Sequence, residues 1–254
     1  MNKQLINIKD RIEERSKDLR SSYLEKIKFS SEQSKSARDN MGCSNIAHAF
    51  ASCDKAQQDQ GANGGTVIGI VSAYNDMLSA HAPLKDYPDV IKNSSEKRNA
   101  IARVAGGVPA MCDGITQGEP GMELSLFSRD VIALSTAVAF SHNVFDAGIC
   151  LGVCDKIVPG LVIGALSFGH FPIAMLPAGP MPTGISNEEK SANRKKYASG
   201  EIDRSALISS EQSAYHSSGT CTFYGTANTN QLIMEVMGLQ LPSASFFQPN
   251  TKER

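Results

Sequence analysis

One stretch of the chain, Phe145–Gly160, constrains the fold more than any other. It begins with a short apolar run that is typical of a buried strand, and the apolar pattern that follows it over Leu161–Phe168 predicts a helix. Cys154, Asp155 and Lys156 lie between the two elements. Ligand sites of open α/β sheets lie at the carboxyl ends of strands, where a helix N-terminus favours negative charge, including a thiolate. A soft and a hard ligand at one strand end therefore indicate a metal site, although a core cysteine followed by a surface ion pair explains the same residues equally well.

Strand and helix patterns alternate along most of the remaining chain. Buried strands are predicted over Thr66–Ser72, Gly106–Cys112 and Phe171–Ala178. The predicted helices are Pro88–Ala100, Leu124–Ser141, Asn187–Tyr197, Asp203–Ser213 and Gln231–Met237. This alternation predicts an α/β domain with a mainly parallel sheet flanked by helices, which we assign to residues 66–254.

The first 65 residues have a different character. Leu5–Ile27 carries an incomplete apolar stripe among charged residues, which predicts a surface helix, and Asn45–Ala56 has the pattern of a short helix. Polar residues over Ser30–Asn40 and Gln57–Gly65 predict loops. We therefore expect residues 1–65 to form an N-terminal helical arm and loop with a structural role.

Composition excludes several classes of protein. The 254 residues are 41% hydrophobic and 20% charged, which is typical of a soluble globular protein with a core. A formal net charge of −1 gives no basis for a nucleic-acid or membrane-surface partner, and no apolar run is long enough to cross a bilayer. The charged N-terminus is not a signal peptide, and six cysteines are too few for a disulfide scaffold. We expect a cytoplasmic protein whose thiols are free, catalytic or metal-bound.

Polar residues also follow the other predicted strands. Tyr74–His81 comes after the first strand, and Asp113–Glu123, which is glycine-rich and carries three carboxylates, comes after the second. The glycines match neither a Walker nor a dinucleotide-binding pattern, so nucleotide binding is rejected. Cys221 stands among small and hydroxylated residues before a predicted helix. Taken alone, His81 is more simply a core histidine and Cys221 a small buried cysteine.

Four segments together resemble the dihydroxy-acid and 6-phosphogluconate dehydratase family. They are Ser72–His81, Val108–Gly118, Leu151–Gly160 and Gly219–Thr229. The resemblance covers nearly the whole chain, but members of that family are more than twice as long. This chain therefore resembles their N-terminal part, and its last residues, Leu241–Arg254, carry no helix-stop or capping signal. We expect the C-terminal catalytic domain to be absent.

The resemblance implies an iron–sulfur hydro-lyase. Cys154 and Cys221 match the cluster cysteines of the family, with a [4Fe-4S] cluster preferred and [2Fe-2S] left open. Asp113, Asp155 and Lys156 match the ligands of a hard divalent cation, usually Mg²⁺, and the lysine is carbamylated in relatives. Since a free ammonium cannot bind a cation, Lys156 either carries that modification or acts as a charge partner.

Two features depart from the family pattern. Some relatives supply a third cluster cysteine after the first strand, but here Met77–His81 contains none, while Cys112 and Cys150 lie close to the matching segments. The resemblance also places the catalytic base and one metal-binding glutamate in the absent C-terminal part. We therefore expect this chain to be inactive by itself. Among the residues present, His81 is the candidate for contact with the substrate.

The implied reaction is dehydration of 6-phospho-D-gluconate to 2-dehydro-3-deoxy-6-phospho-D-gluconate, a step of the Entner–Doudoroff route. Tyr74–Asp76 and Thr222–Tyr224 favour this substrate over another sugar acid or a dihydroxy acid, which remains the alternative. We expect a small-molecule substrate, no nucleic acid, no membrane, and a homodimer in the full-length protein. The basic residues that could bind the phosphate, each more simply a surface charge, are Arg103, Arg129, Arg194 and Lys195.

Two hypotheses from other classes remain. A redox dithiol formed by Cys150 and Cys154 has one residue too many between the cysteines for the usual motif. A structural zinc domain would need four closed ligands and would have to recruit His81, His142 or His170.

Overall fold

Four parallel strands run side by side in the centre of the molecule in the order β2-β1-β3-β4. The computed structural model describes residues 2–34, 38, 40–221 and 225–253. The strands are β1 (Thr66–Ser72), β2 (Ala100–Gly107), β3 (Ala147–Leu151) and β4 (Ile173–Leu176). The helices are α1 (Lys3–Ser34), α2 (Cys43–Phe50), α3 (Lys55–Ala62), α4 (Tyr87–Glu96), α5 (Asp113–Thr116), α6 (Glu123–Phe140), α7 (Ile157–Leu166), α8 (Asn187–Ala198), α9 (Arg204–Ala214) and α10 (Thr226–Val236). The predicted α/β fold with a parallel sheet flanked by helices is confirmed.

Both faces of the sheet are buried, as parallel sheets require. Val71 belongs to a core cluster that also contains Ile132 of α6 and Leu161 of α7. The preceding residue, Ile70, belongs to a second cluster with Leu84, against which α4 packs through Ile91. Alternate side chains of β1 thus enter different cores, which explains why its sequence is continuously apolar rather than alternating.

Helices α6 and α7 pack closely because glycines face the contact. A Cβ atom on Gly164 would lie 2.6 Å from the carbonyl oxygen of Ala133, and one on Gly160 would lie 2.7 Å from Cγ2 of Ile132. The Ala133 oxygen belongs to the backbone of α6, so it cannot move aside as the end of a flexible side chain can. The close approach holds α7, and with it the loop that precedes α7, against the rest of the core.

Gly164→Leu is therefore expected to destabilise the fold by about 1–3 kcal/mol or more, the range for overpacking a core. Urea unfolding followed by circular dichroism measures the effect. Ser167→Leu is the matched control because it adds the same side chain at an exposed position just after the same helix. It should change the free energy of unfolding by no more than about 0.5 kcal/mol. Equal stability of the two variants would contradict the packing role of Gly164.

Most of the predicted elements are found where the sequence placed them. β1 has the predicted bounds, α6 and α9 differ from the prediction by one residue at each end, and α8 begins where predicted and ends one residue later. α7 begins at Ile157 and α10 at Thr226, both earlier than predicted. α1 continues into the predicted loop Ser30–Asn40 as far as Ser34, and residues 35–37 and 39 of that loop lie outside the described part of the chain.

The predicted loop Gln57–Gly65 was wrong for most of its length, because α3 occupies Lys55–Ala62. This helix has no apolar periodicity and is fixed at its ends instead. The Asp54 side chain accepts a hydrogen bond from the Gln57 backbone N–H at 2.9 Å, which caps the N-terminus. Gly61 lies so close to the Phe50 ring that a Cβ there would be 2.5 Å from it.

The position of β2 was also predicted wrongly. The helix expected over Pro88–Ala100 ends at Glu96, and β2 begins at Ala100, well before the predicted Gly106. Asn99 adopts a left-handed backbone conformation, with φ of 56°, and turns the chain into the strand. Ala100 was predicted to be the last residue of the helix but is the first residue of the strand, and Ile101 after it is buried in the core.

Helices long and apolar enough to cross a bilayer are absent from the described part of the chain.

Candidate active site at the carboxyl edge of the sheet

The segments that follow the four strands meet at the carboxyl edge of the sheet. Because all strands are parallel, their C-terminal ends lie at the same edge. Cys154 follows β3 and Asp113 follows β2 at this edge. After β4, Pro180 forms an isolated parallel bridge with Thr220, which brings the segment leading to Cys221 to the same edge. The residues singled out in the sequence thus come from three separate parts of the chain.

Lys156 stands at the centre of the charged group in this site. Its side chain is almost completely buried, with 4% of its surface exposed. Its ammonium donates a hydrogen bond to Oδ2 of Asp113 and lies 2.9 Å from Oδ1 of Asp155. The Ser125 hydroxyl, from α6, donates to the other oxygen of Asp113. The structure therefore brings together the three predicted metal-binding positions.

The electrostatics of this group favour full ionisation. Burial disfavours the charged form of Asp113, but hydrogen bonds from Lys156 and Ser125 outweigh it and lower the pKa of that carboxyl. Burial likewise opposes the ammonium of Lys156, yet the bonds to Asp113 and Asp155 prevail and raise its pKa. One ammonium between two carboxylates leaves a net negative charge, which suits a cation.

The fit of this group to a divalent cation depends on Lys156. Across residues 2–34, 38, 40–221 and 225–253, no three His, Cys, Asp or Glu side chains are close enough to hold a metal ion by themselves. Two carboxylates converge, and the ammonium lies in the position between them. A carbamate on Lys156 would replace that positive charge with oxygen ligands of the kind that Mg²⁺ prefers. The donor set fits magnesium if the lysine is modified.

Cys154 has a strained backbone in this site. Its φ of 78° is in the left-handed region, which non-glycine residues adopt at a cost of roughly 1–3 kcal/mol. The carbonyl oxygen of Val153, just before it, accepts a hydrogen bond from His81, and the Cys154 carbonyl oxygen accepts one from the Val158 backbone N–H at the start of α7. The surrounding contacts therefore hold Cys154 in an energetically unfavourable backbone conformation, and such conformations are frequent at functional sites.

Burial keeps the thiols of this site protonated. Desolvation raises the pKa of Cys154, and the charges of Cys112 and Asp155 raise it further. The pKa of Cys221 is raised by the same two kinds of effect, burial first and then the charge of Cys112. A bound metal reverses this balance because a coordinated thiol is deprotonated. The thiols thus suit a metal more than a role as free nucleophiles.

A buried polar network that sequence reasoning missed fixes the segment at Cys221. The Asn228 amide donates a hydrogen bond to the Cys221 carbonyl oxygen at 3.0 Å, and Asn228 accepts from Thr220 at 2.6 Å and from Gln231 at 3.0 Å. Thr220, Asn228 and Gln231 are all buried. The spacing of Asn228 and Gln231 on one helix face was a usable signal, but the predicted helix began only at Gln231. Thr222–Tyr224, which favoured a phosphogluconate substrate, lies outside the described residues.

His81 is closed off from solvent beneath the chain that leads to Cys154. It is 1% exposed, and its Nε2 lies 3.2 Å from the Val153 carbonyl oxygen, to which it donates. Its Nδ1 is buried and has no hydrogen-bond partner within the described structure. Burial lowers its pKa to about 4, so the ring is neutral at neutral pH. In this position His81 supports the backbone at the site.

The alternative hypotheses gain no support from the structure. Cys150 is fully buried in the core, and burial raises its pKa to about 12, so it offers no reactive partner for Cys154. His142 interacts with the Ala139 carbonyl oxygen at 2.8 Å, and His170 packs edge-to-face on Phe171, so both rings have other contacts.

Two of the four basic residues considered for a phosphate have partners elsewhere. Arg103 donates hydrogen bonds to the Ala49 carbonyl oxygen and to Ser52, and Arg194 forms a two-point ion pair with Glu211. These contacts agree with the simpler structural interpretation of both side chains.

Comparison with known proteins decides the family. Residues 66–254 match the family model described as "Dihydroxy-acid/6-phosphogluconate dehydratase N-terminal". The chain belongs to this family. The match begins at the first residue of β1 and includes every residue of the site described above.

Several of the similar curated proteins are named phosphogluconate dehydratase. The chain is 55% identical to the protein of that name from Pseudomonas aeruginosa and 53% identical to that from Escherichia coli K12, over its whole length and 42% of theirs. A "Dihydroxy-acid dehydratase" from Akkermansia muciniphila is 33% identical over 74% of the chain. The chain therefore spans about two fifths of the length of the curated relatives it matches and is more similar to the phosphogluconate members.

Proposed function

We propose that the chain provides the sheet-edge site of a hydro-lyase that dehydrates 6-phospho-D-gluconate to 2-dehydro-3-deoxy-6-phospho-D-gluconate. The observation that carries the proposal is the convergence of Asp113, Asp155 and Lys156 beside Cys154, in a chain more than half identical to phosphogluconate dehydratases. The reaction removes a proton from C2 and the hydroxyl from C3 as one water molecule. The resulting enol becomes the 2-keto acid by proton transfer.

Cys154 and Cys221 would hold an iron–sulfur cluster, for which we propose the [4Fe-4S] form. Both thiols are partly exposed at the edge, as ligands of a cluster that meets substrate must be. Iron supplies a Lewis acid for the hydroxyl that leaves. The chain's own contribution is to fix the two sulfur positions, through the strained backbone of Cys154 and through the Asn228 network behind Cys221.

Asp113, Asp155 and a carbamylated Lys156 would hold Mg²⁺, the second proposed cofactor. Magnesium supplies positive charge next to the substrate carboxylate, where the enolate develops. Ser125 orients the Asp113 carboxylate by donating to one of its oxygens, so that the other faces Lys156. Such a second contact fixes the direction of a ligand.

The remaining proposals concern assembly and compartment. We propose a small-molecule substrate, a cytoplasmic location and a homodimer of the full-length protein. An exposed apolar stripe on α1 supports the homodimer, since Leu5, Ile8 and Ile12 are each at least half exposed.

A chimera tests the function directly. The chain is fused to the C-terminal part of the Pseudomonas aeruginosa phosphogluconate dehydratase that it does not match, and the fusion is reconstituted with iron, sulfide and magnesium without oxygen. We expect it to form 2-keto acid from 6-phosphogluconate, while the 254-residue chain alone forms none. A chimera that dehydrates a dihydroxy acid but not 6-phosphogluconate would contradict the substrate. Turnover by the chain alone would show that it contains the base.

Asp155→Asn in this chimera is expected to lose activity while keeping the visible absorption of the cluster. An amide has the shape of the carboxylate but not its charge, so the cation site should fail and the thiols should remain. The expected loss is roughly 10²–10³-fold in kcat, as for removal of one electrostatic stabiliser. Asp130→Asn, at an exposed position on α6, is the control and should leave both readouts unchanged. Simultaneous loss of absorption and activity in Asp155→Asn would indicate a structural role.

A further inference from the structure

We propose that Cys112 is the third protein thiolate of the iron–sulfur cluster, in place of the cysteine that some relatives carry after the first strand. The inference rests on the proposed function, because it requires a cluster at this edge. The sequence alone left the third ligand open between Cys112 and Cys150. The inference assigns it to Cys112, in the segment after β2.

The position of Cys112 follows from two Cys-Asp pairs whose carboxylates contact the same side chain. Cys112 directly precedes Asp113, and Cys154 directly precedes Asp155. Both carboxylates contact the same ammonium, that of Lys156. Since neighbouring Cα atoms are only about 3.8 Å apart, each cysteine is tied to the neighbourhood of this ammonium. The two pairs come from β2 and β3, which lie on either side of β1.

The Cys112 thiol is available to bind a metal. It is free and partly exposed, as the thiols of Cys154 and Cys221 also are. Gly114 leaves space beside it, since even an added Cβ there would lie 3.6 Å from the sulfur.

The chemistry of a cluster favours this arrangement. Two thiolates are few for a cluster that usually has four, whereas three would hold it and leave one iron open for the substrate hydroxyl. Cys150 is unsuitable because it is fully buried in the core.

Iron and sulfide analysis of serine variants tests the assignment. The wild-type chain, Cys112→Ser, Cys154→Ser and the control Cys43→Ser, whose cysteine is exposed on α2, are reconstituted without oxygen. We expect Cys112→Ser to fall to the iron content of Cys154→Ser, while Cys43→Ser matches the wild type. Retention of full iron and an unchanged cluster spectrum by Cys112→Ser would overturn the assignment.

Alkylation provides a second readout that does not depend on how the variant folds. Wild-type chain is treated with iodoacetamide before and after cluster loading, and the modified cysteines are identified by mass spectrometry. We expect loading to protect Cys112 as strongly as Cys154, and to leave Cys43 reactive. Equal reactivity of Cys112 in both states would overturn the assignment and leave the proposed function standing. A wild-type chain that binds neither iron nor sulfide would instead contradict the proposed function.

Discussion

Replacing Cys154 or Cys221 with serine is expected to abolish bound iron completely, and with it the activity of the reconstituted chimera. Thiolates are soft ligands that suit iron–sulfur clusters, whereas a serine hydroxyl at neutral pH is neither charged nor soft. With so few protein ligands, loss of one leaves the cluster without adequate attachment. The two residues come from segments far apart in the chain, so each variant tests one side of the site independently.

Iron content, acid-labile sulfide and visible absorption measure the effect, and circular dichroism reports whether the variants fold. Cys53→Ser and Cys43→Ser are the matched controls, because both cysteines lie in the N-terminal region, away from the carboxyl edge. They should retain the cluster. Full iron content in either Cys154→Ser or Cys221→Ser would exclude that residue as a ligand.

The sequence predicted the residues at the carboxyl edge of the sheet better than it predicted the bounds of the surrounding strands and helices. Cys154, Asp155 and Lys156 are adjacent in the chain, and their place between β3 and α7 followed from local pattern alone. β2 was misplaced because a run with small residues such as Ala100 and Ala102 carries no strong strand preference by itself. Pairing with β1 decides its conformation, and this tertiary contact is invisible in the local sequence.

The contacts that shape the site were harder to predict than its members. Lys156 meets Asp113 across 43 residues of chain, and Ser125 reaches Asp113 from a different helix. Family resemblance could assign positions to these residues, but only the folded chain shows that the ammonium lies between two carboxylates. The network from Asn228 to Cys221 similarly depends on where α10 begins, and helix starts are among the least certain features of a sequence prediction.

The two roles open to Lys156 predict different behaviour for two substitutions. Lys156→Met removes the charge, so Asp113 and Asp155 are left facing one another. Breaking a fully buried ion pair costs about 3–5 kcal/mol, but these carboxylates are about one third exposed, so roughly 1–3 kcal/mol is expected. Lys156→Arg keeps a positive charge that can contact both carboxylates, so its loss of stability should be clearly smaller. Urea unfolding of the chain measures both.

Activity separates charge pairing from metal binding at this position. A guanidinium stays protonated in proteins and cannot take up carbon dioxide as an amine does, so Lys156→Arg cannot supply a carbamate ligand. If Lys156 helps to hold Mg²⁺ in that form, the arginine variant of the chimera should be as inactive as Lys156→Met despite its greater stability. Its melting temperature should also no longer rise on addition of magnesium, whereas that of the wild type should. An active Lys156→Arg chimera would contradict the carbamate and leave Lys156 as a charge partner of Asp113 and Asp155.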